Sequence, residues 1–179
     1  MQRSLLLIIS GSISAYKSLE VIRRLTGQNI TVRVILTAGG AQFVTPLSVA
    51  ALSRQPVYTD LFSLKDEVEM GHIRLVREAD CVLVAPASAD LIAKMAHGMA
   101  GDLAASALLA NDRPLLVAPA MNAMMWAHPA TQRNIAQIQA DGAVLIAPEE
   151  GALACGEEGS GRMAAPEILI AAVLKQLGV

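Results

Sequence analysis

Apolar residues along this chain come in short unbroken runs separated by stretches of helical period. Residues 5–10, 31–36, 81–85, 115–118 and 143–146 read as strands, with residues 57–58 as a short further one. A strand covered on both faces needs apolar side chains at every position, whereas a half-exposed strand alternates. A helical pattern runs from about Ala15 to Leu25 and stops at Gly27 and Asn29. Residues 46–52 continue a helical region, residues 72–79 supply a turn or two, and residues 165–176 close the chain as a helix. Residues 65–70 are charged and less regular, and residues 148–162 form a Gly- and Glu-rich loop. Strands alternating with helices predict an α/β fold. It is a doubly wound parallel sheet, Rossmann-like or flavodoxin-like, flanked by helices in a single domain over residues 1–179. No repeat, linker or second domain is visible.

Composition adds a partner. The chain is 54% hydrophobic and only 17% charged, against about a quarter charged in ordinary soluble domains. That is more apolar surface than a core of this size hides, so a buried interface in a homo-oligomer is expected. A net charge of −2 with no Lys/Arg cluster gives no electrostatic footprint for nucleic acid. No uncharged apolar run reaches the roughly 18 residues that a membrane span needs. Residues 1–10 faintly resemble a signal peptide, but their apolar core is too short and makes better sense as the first strand. Cys81 and Cys155 are far apart with no paired spacing. This argues against a disulfide framework or a metal site and fits a reducing cytoplasm.

Candidate chemistry lies where strands end, because ligands of parallel sheets bind there. The first such turn is Ser10-Gly11-Ser12-Ile13-Ser14-Ala15-Tyr16-Lys17. Its small residues let backbone amides and hydroxyls close on a phosphate at a helix N-terminus. It lacks the second and third glycines of the dinucleotide fingerprint. The second strand ends in Leu36-Thr37, without the acidic residue that holds an NAD ribose. A mononucleotide fits better, with Thr37 adding a hydroxyl, although a plain serine-rich turn reads equally well. Two further strands end in a shared Ala-Pro-Ala pattern. One offers Ser88 and Asp90 and the other Asn122, and together they could floor a flat ring. Asp90 could equally be a helix N-terminal carboxylate, and Asn122 a helix cap followed by gap-filling methionines. Cys155 sits among Gly151, Gly156, Gly159 and Gly161, the setting of a moving loop. Cys81 reads as core, and His97 and His128 as surface.

Five segments together resemble the flavin-containing cysteine decarboxylases. They are Gly11-Ser12-Ile13-Ser14-Ala15-Tyr16-Lys17, Gly71-His72-Ile73, Pro86-Ala87-Ser88-Ala89-Asp90, Pro119-Ala120-Met121-Asn122 with Met125-Trp126, and Ala154-Cys155-Gly156 running to Gly161-Arg162-Met163. The likeness is nearest to the branch acting on phosphopantothenoylcysteine in coenzyme A synthesis. The resemblance implies FMN at the carboxyl ends of the strands, with its phosphate near Gly11, Ser12, Ile13 and Thr37 and its ring near Ser88, Ala89 and Asp90. It implies a trimer or dodecamer with the flavin between subunits. It also implies a phosphopantothenoylcysteine synthetase, fused or separate. His72 matches the family's active-site histidine, Asn122 the residue that holds the substrate carboxylate, and Cys155 the thiol of a flap. Met124, Ala154, Gly156, Arg162 and Met163 are the implied further substrate contacts. Gly101 departs from the Asp or Asn common in that loop, and Asp90 follows the bacterial members.

The implied chemistry suits these residue types. Loss of CO₂ from an amino acid needs an electron sink. No lysine is placed for a pyridoxal cofactor, since Lys17 lies in the phosphate turn and Lys94 in a helix. Oxidation of the substrate thiol to a thioaldehyde would create the sink, and CO₂ loss would give an enethiol that is then reduced. His72 would take the thiol proton, Asn122 hold the carboxylate without adding charge, and Cys155 return the last proton. Two rivals stand beside this: a peptidyl-cysteine decarboxylase of the same family, and a regulatory flavoprotein that binds without turnover.

Overall fold

The computed structural model describes residues 2–60, 71–152, 156 and 158–179. The expected irregular stretch at 65–70, together with Ala154 and Cys155, lies outside the described residues. At the centre is β1 (Ser4–Ile9), which pairs in parallel with β2 (Thr31–Leu36) on one side and β4 (Cys81–Ala87) on the other. β2 continues to β3 (Val57–Tyr58), and β4 to β5 (Leu115–Pro119) and then β6 (Val144–Leu145). The described residues thus form a six-stranded parallel sheet in the order β3-β2-β1-β4-β5-β6. The winding reverses between β1 and β4, and at such a switch point adjacent loops diverge and open a crevice.

The unbroken apolar runs are explained by two separate cores. Leu5, Leu7 and Ile9 face one side of the sheet with Val21, Ile22 and Leu25 of α1 (Ala15–Gly27) and Leu169, Ile170 and Val173 of α8 (Pro166–Leu177). Leu6 and Ile8 face the other side. They pack with α3 (Gly71–Arg77), α4 (Ala89–Ala96), α5 (Leu103–Leu109) and α7 (Pro129–Ala140) through Leu75, Ile92, Ala104 and Ile135. Full burial of each such Leu or Ile is worth about 1.5–3 kcal/mol, so β1 is bound from both faces. α2 (Pro46–Ser53) begins where Thr45 Oγ1 accepts the Ser48 N–H at 3.1 Å and Pro46 fills the first helical position.

Three features differ from the sequence expectation. β4 runs through Pro86 to Ala87, because the register against β5 shifts between Val84 and Ala87 and so admits a residue with no N–H. The 148–162 segment is not wholly loop. It contains an antiparallel hairpin of β7 (Glu149–Ala152) and β8 (Glu158–Arg162), pairing Glu149 with Arg162 and Glu150 with Ser160. Glycine-rich strands pair through backbone and leave little side-chain pattern to read. A short helix, α6 (Ala123–Ala127), separates β5 from α7. Among the described residues no helix is long and apolar enough to cross a membrane.

Candidate active site

Hydroxyls brace the carboxyl ends of β1 and β4. Ser10 Oγ donates to the Pro86 carbonyl at 2.7 Å and accepts the Ser88 N–H at 2.8 Å. Ser18 Oγ donates to the Ala85 carbonyl at 2.7 Å. The Ala120 N–H continues the lacing across to the Ala87 carbonyl at 3.0 Å. Three turns, after β1, β4 and β5, are therefore held side by side at the switch point.

The first turn meets the loop after β2 backbone to backbone. A Cβ on Gly11 would lie 3.1 Å from Gly39 Cα, and one on Gly39 would lie 3.2 Å from Gly11 Cα. This floor is bare backbone at the N-terminal end of α1, the arrangement that admits a phosphate. Thr37 Oγ1 accepts the Gly40 N–H at 3.0 Å, and Ser12 Oγ accepts the Ser14 N–H at 3.2 Å, so both hydroxyls are fixed in place.

Two clefts open from this floor and share Gly11, Ser88, Ala89 and Met125. The first, about 580 Å³, is walled by Ser12, Ile13, Ser14, Tyr16 and Lys17, by Ala120, Met121 and Asn122, and by Gly161 and Arg162. The second, about 450 Å³, reaches from Thr37 and Gly39 to Asp90, Lys94 and Asp102. In it Lys94 Nζ lies 2.9 Å from both Asp90 and Asp102. Their hydrogen bonds, that of Asp102 foremost, hold its ammonium above the ordinary lysine range.

Asn122 stands at the mouth of the first cleft and also caps α6. Its Oδ1 accepts the Met124 N–H at 2.7 Å and the Met125 N–H at 3.4 Å. The hairpin is seated directly on this turn. The Gly161 carbonyl accepts the Met121 N–H at 3.0 Å. Gly161 has φ 131°, and a Cβ there would lie 2.4 Å from the Met121 carbonyl oxygen. Only glycine permits both that conformation and that approach. At Gly159 an added Cβ would sit 2.9 Å from Ala123 Cβ.

The expected site residues separate into groups. Gly11, Ser12, Ile13, Ser88, Ala89, Asn122 and Arg162 line the first cleft, and Thr37 and Asp90 the second. Met163 is fully buried in the core, so its side chain faces away from both clefts, and only its carbonyl is engaged, by Lys17. Met124 points outward at 75% exposed, and Met125 lines the clefts instead. Gly156 is exposed, with φ 85°. His72, near the start of α3, is half-buried and lines neither cleft. Cys81 is core as expected, and burial pushes its thiol up to about 11. Sequence reasoning missed Ser10 and Ser18 as braces and Lys17 as a wall. A serine as the last residue before a turn carries no signal until its neighbour strand is known.

Comparison with known proteins agrees with this geometry. The protein-family model described as Flavoprotein matches residues 1–178. The coenzyme A biosynthesis bifunctional protein CoaBC of Haemophilus influenzae is 45% identical over 165 residues, covering 92% of this chain and 41% of that protein. CoaBC of Bacillus subtilis is 43% identical over 168 residues, covering 94% and 41%. The chain thus spans about two-fifths of the length of these curated relatives. Among solved structures, a PPC decarboxylase mutant complexed with pantothenoylaminoethenethiol is similar over 100% of both chains, with TM-score 0.87 and 32% identity. The FMN-dependent cysteine decarboxylase SpaF is similar over 99% of this chain and 98% of its own, with TM-score 0.83 and 32% identity. With the family matched over almost its whole length and a doubly wound sheet that opens at its switch point, the chain belongs to the flavoprotein family.

Proposed function

We propose that this protein is an FMN-dependent decarboxylase that converts 4'-phosphopantothenoylcysteine to 4'-phosphopantetheine. The observation that carries the reading is the Asn122 turn. It stands at the carboxyl end of β5, opens into the same cleft as the glycine-floored turn after β1, and lies beneath the β7–β8 hairpin. The names of the similar solved proteins, a PPC decarboxylase and an FMN-dependent cysteine decarboxylase, support the same chemistry.

The residues present fit FMN. Gly11 and Gly39 approach too closely for a Cβ on either and so present bare backbone to the clefts, with Ser12 and Thr37 beside it. When bound there, FMN supplies the two-electron sink that substrate-thiol oxidation requires and returns the electrons at the end. The chain's own residues do the rest. Asn122 holds the substrate carboxylate by its amide and adds no charge that would oppose CO₂ loss. His72 receives the thiol proton, and Cys155 delivers the final one. His72 lines neither cleft of its own chain, so the reading includes a homotrimer, or a multiple of one, in which another copy completes each site. Exposed Leu47, Phe43 and Tyr16 supply apolar surface for such contacts, and the setting is cytoplasmic.

The test is direct. Purified protein should carry a chromophore that, once released, is FMN and not FAD. It should release CO₂ from phosphopantothenoylcysteine faster than from a peptide ending in cysteine. Faster turnover of the peptide would favour the peptidyl-cysteine reaction, and no turnover of either would leave a binding flavoprotein.

A further inference from the structure

The two clefts differ in charge, and this bears on the end of the substrate away from the reacting cysteine. The second cleft holds Asp90 and Asp102 with Lys94 between them, so its cation is already matched. The first is lined by two cations, Lys17 and Arg162, and, among the described residues, by no carboxylate. Lys17 is 8% exposed, and its Nζ donates to the Met163 carbonyl at 2.7 Å. Burial first, and then the nearby Arg162, hold its ammonium below the ordinary lysine range. Glu149 and Glu167 act in the opposite direction, and both are committed elsewhere. Glu149 Oε1 accepts the Ala165 N–H at 3.2 Å, and Glu167 pairs with Arg24 at 2.8 Å. Among the described residues neither Lys17 nor Arg162 has an ion-pair partner.

Two neighbouring cations, one of them desolvated, repel each other unless an anion lies between them. Arg162 is exposed on β8, where a Cβ on Gly151 would lie 3.4 Å from its Nη1. The absence of a side chain at Gly151 leaves the guanidinium open. Its planar fork matches a phosphate in two parallel hydrogen bonds. We infer that Arg162, backed by the buried Lys17, binds the phosphate of the substrate and makes this site prefer a phosphorylated pantothenoyl compound. The assignment rests on the decarboxylase reading for the identity of the substrate, with the carboxylate end left to Asn122. The same chemistry could serve the flavin's own phosphate, and the experiment separates the two sources.

Flavin-loaded protein is titrated calorimetrically with pantothenic acid 4'-phosphate and with pantothenic acid. Wild type should bind the phosphorylated probe at least about tenfold more tightly, as expected for a charge-assisted hydrogen bond. Added salt should narrow the gap. Arg162→Gln should weaken the phosphorylated probe by roughly 10- to 100-fold and the other far less, so the preference collapses. Arg162→Lys, which keeps the charge and loses the fork, should fall between. Equal affinities in wild type, or equal losses on both probes in Arg162→Gln, would overturn the inference. Release of FMN by Arg162→Gln, with wild type showing no preference, would assign the cations to the flavin phosphate and overturn it too. CO₂ release by wild type is scored separately. A phosphate preference without decarboxylation would overturn the reaction and leave this assignment standing.

Discussion

Replacing Asn122 by Asp separates the two jobs of that side chain. The first job is the cap, in which Oδ1 takes the Met124 and Met125 N–H groups at 2.7 and 3.4 Å. Aspartate offers the same oxygen, ranks with asparagine at this position, and brings a charge that suits a helix N-terminus. The change in stability should stay within a few tenths of a kcal/mol, so the unfolding temperature should move by less than about 2 °C. The second job, the one we propose, is holding the substrate carboxylate. Two carboxylates about 4 Å apart repel by roughly 4 kcal/mol at an effective dielectric near 20, and by about 1 kcal/mol in water. The cleft is open on one side, so solvent offsets part of the new charge. A net loss of about 2–3 kcal/mol follows, or a fall of roughly 30- to 150-fold in kcat/KM. The assay is CO₂ release, run beside flavin absorbance and thermal unfolding on the same preparation. Asn122→Ala is the control. It should lose about 1 kcal/mol of cap as well as activity, so it should melt earlier than the Asp variant. An Asp variant with kcat/KM within about threefold of wild type would refute the reasoning and leave Asn122 as a cap alone.

Gly161→Ala places a Cβ against the Met121 carbonyl at φ 131°. It should cost at least about 2 kcal/mol, lower the unfolding temperature by roughly 4 °C or more, and reduce activity while FMN is retained. Unchanged melting and turnover would mean that the hairpin does not bear on the Asn122 turn. Cys155→Ser should still release CO₂ but stall at the enethiol. A free thiol, with a pKa of about 8.5, donates a proton that a serine hydroxyl gives up poorly. Anaerobic mass spectrometry should find a product lighter than normal by one pair of hydrogens, and only the fully reduced product at the normal rate would remove Cys155 from the mechanism.

Much of the fold was legible because its strands are buried on both faces. Continuous runs such as Leu5-Leu6-Leu7-Ile8-Ile9 can be little else in a chain that alternates with helical segments. The hairpin was not legible, because pairs such as Gly151 with Gly159 leave no alternation of side chains. Nor was the extension of β4 through Pro86, since a register shift depends on the partner strand and not on the local sequence. Within the site, Asn122 was visible as a residue just past a strand, yet its capping role and its place in the cleft proved compatible, not exclusive. Met163 illustrates the opposite limit. It belongs to the motif that carried the resemblance, but its side chain is core and only its backbone reaches toward the site, through Lys17.

The way the cleft is assembled explains why its parts are so far apart in sequence. Each wall begins where a strand ends, and no wall could hold its position alone. Ser10 ties the turn after β1 to that after β4, the Ala120 N–H ties the β5 turn to Ala87, and the Met121 N–H ties it onward to Gly161 of the hairpin. Lys17 closes the circuit by reaching from the first turn of α1 to the Met163 carbonyl, two residues beyond Gly161. The phosphate-type floor and the hairpin roof are therefore parts of one hydrogen-bonded ring around the cleft. Displacing the turn after β1 would therefore disturb the strand that carries Arg162 as well, because a buried lysine cannot release its carbonyl partner without leaving a desolvated charge.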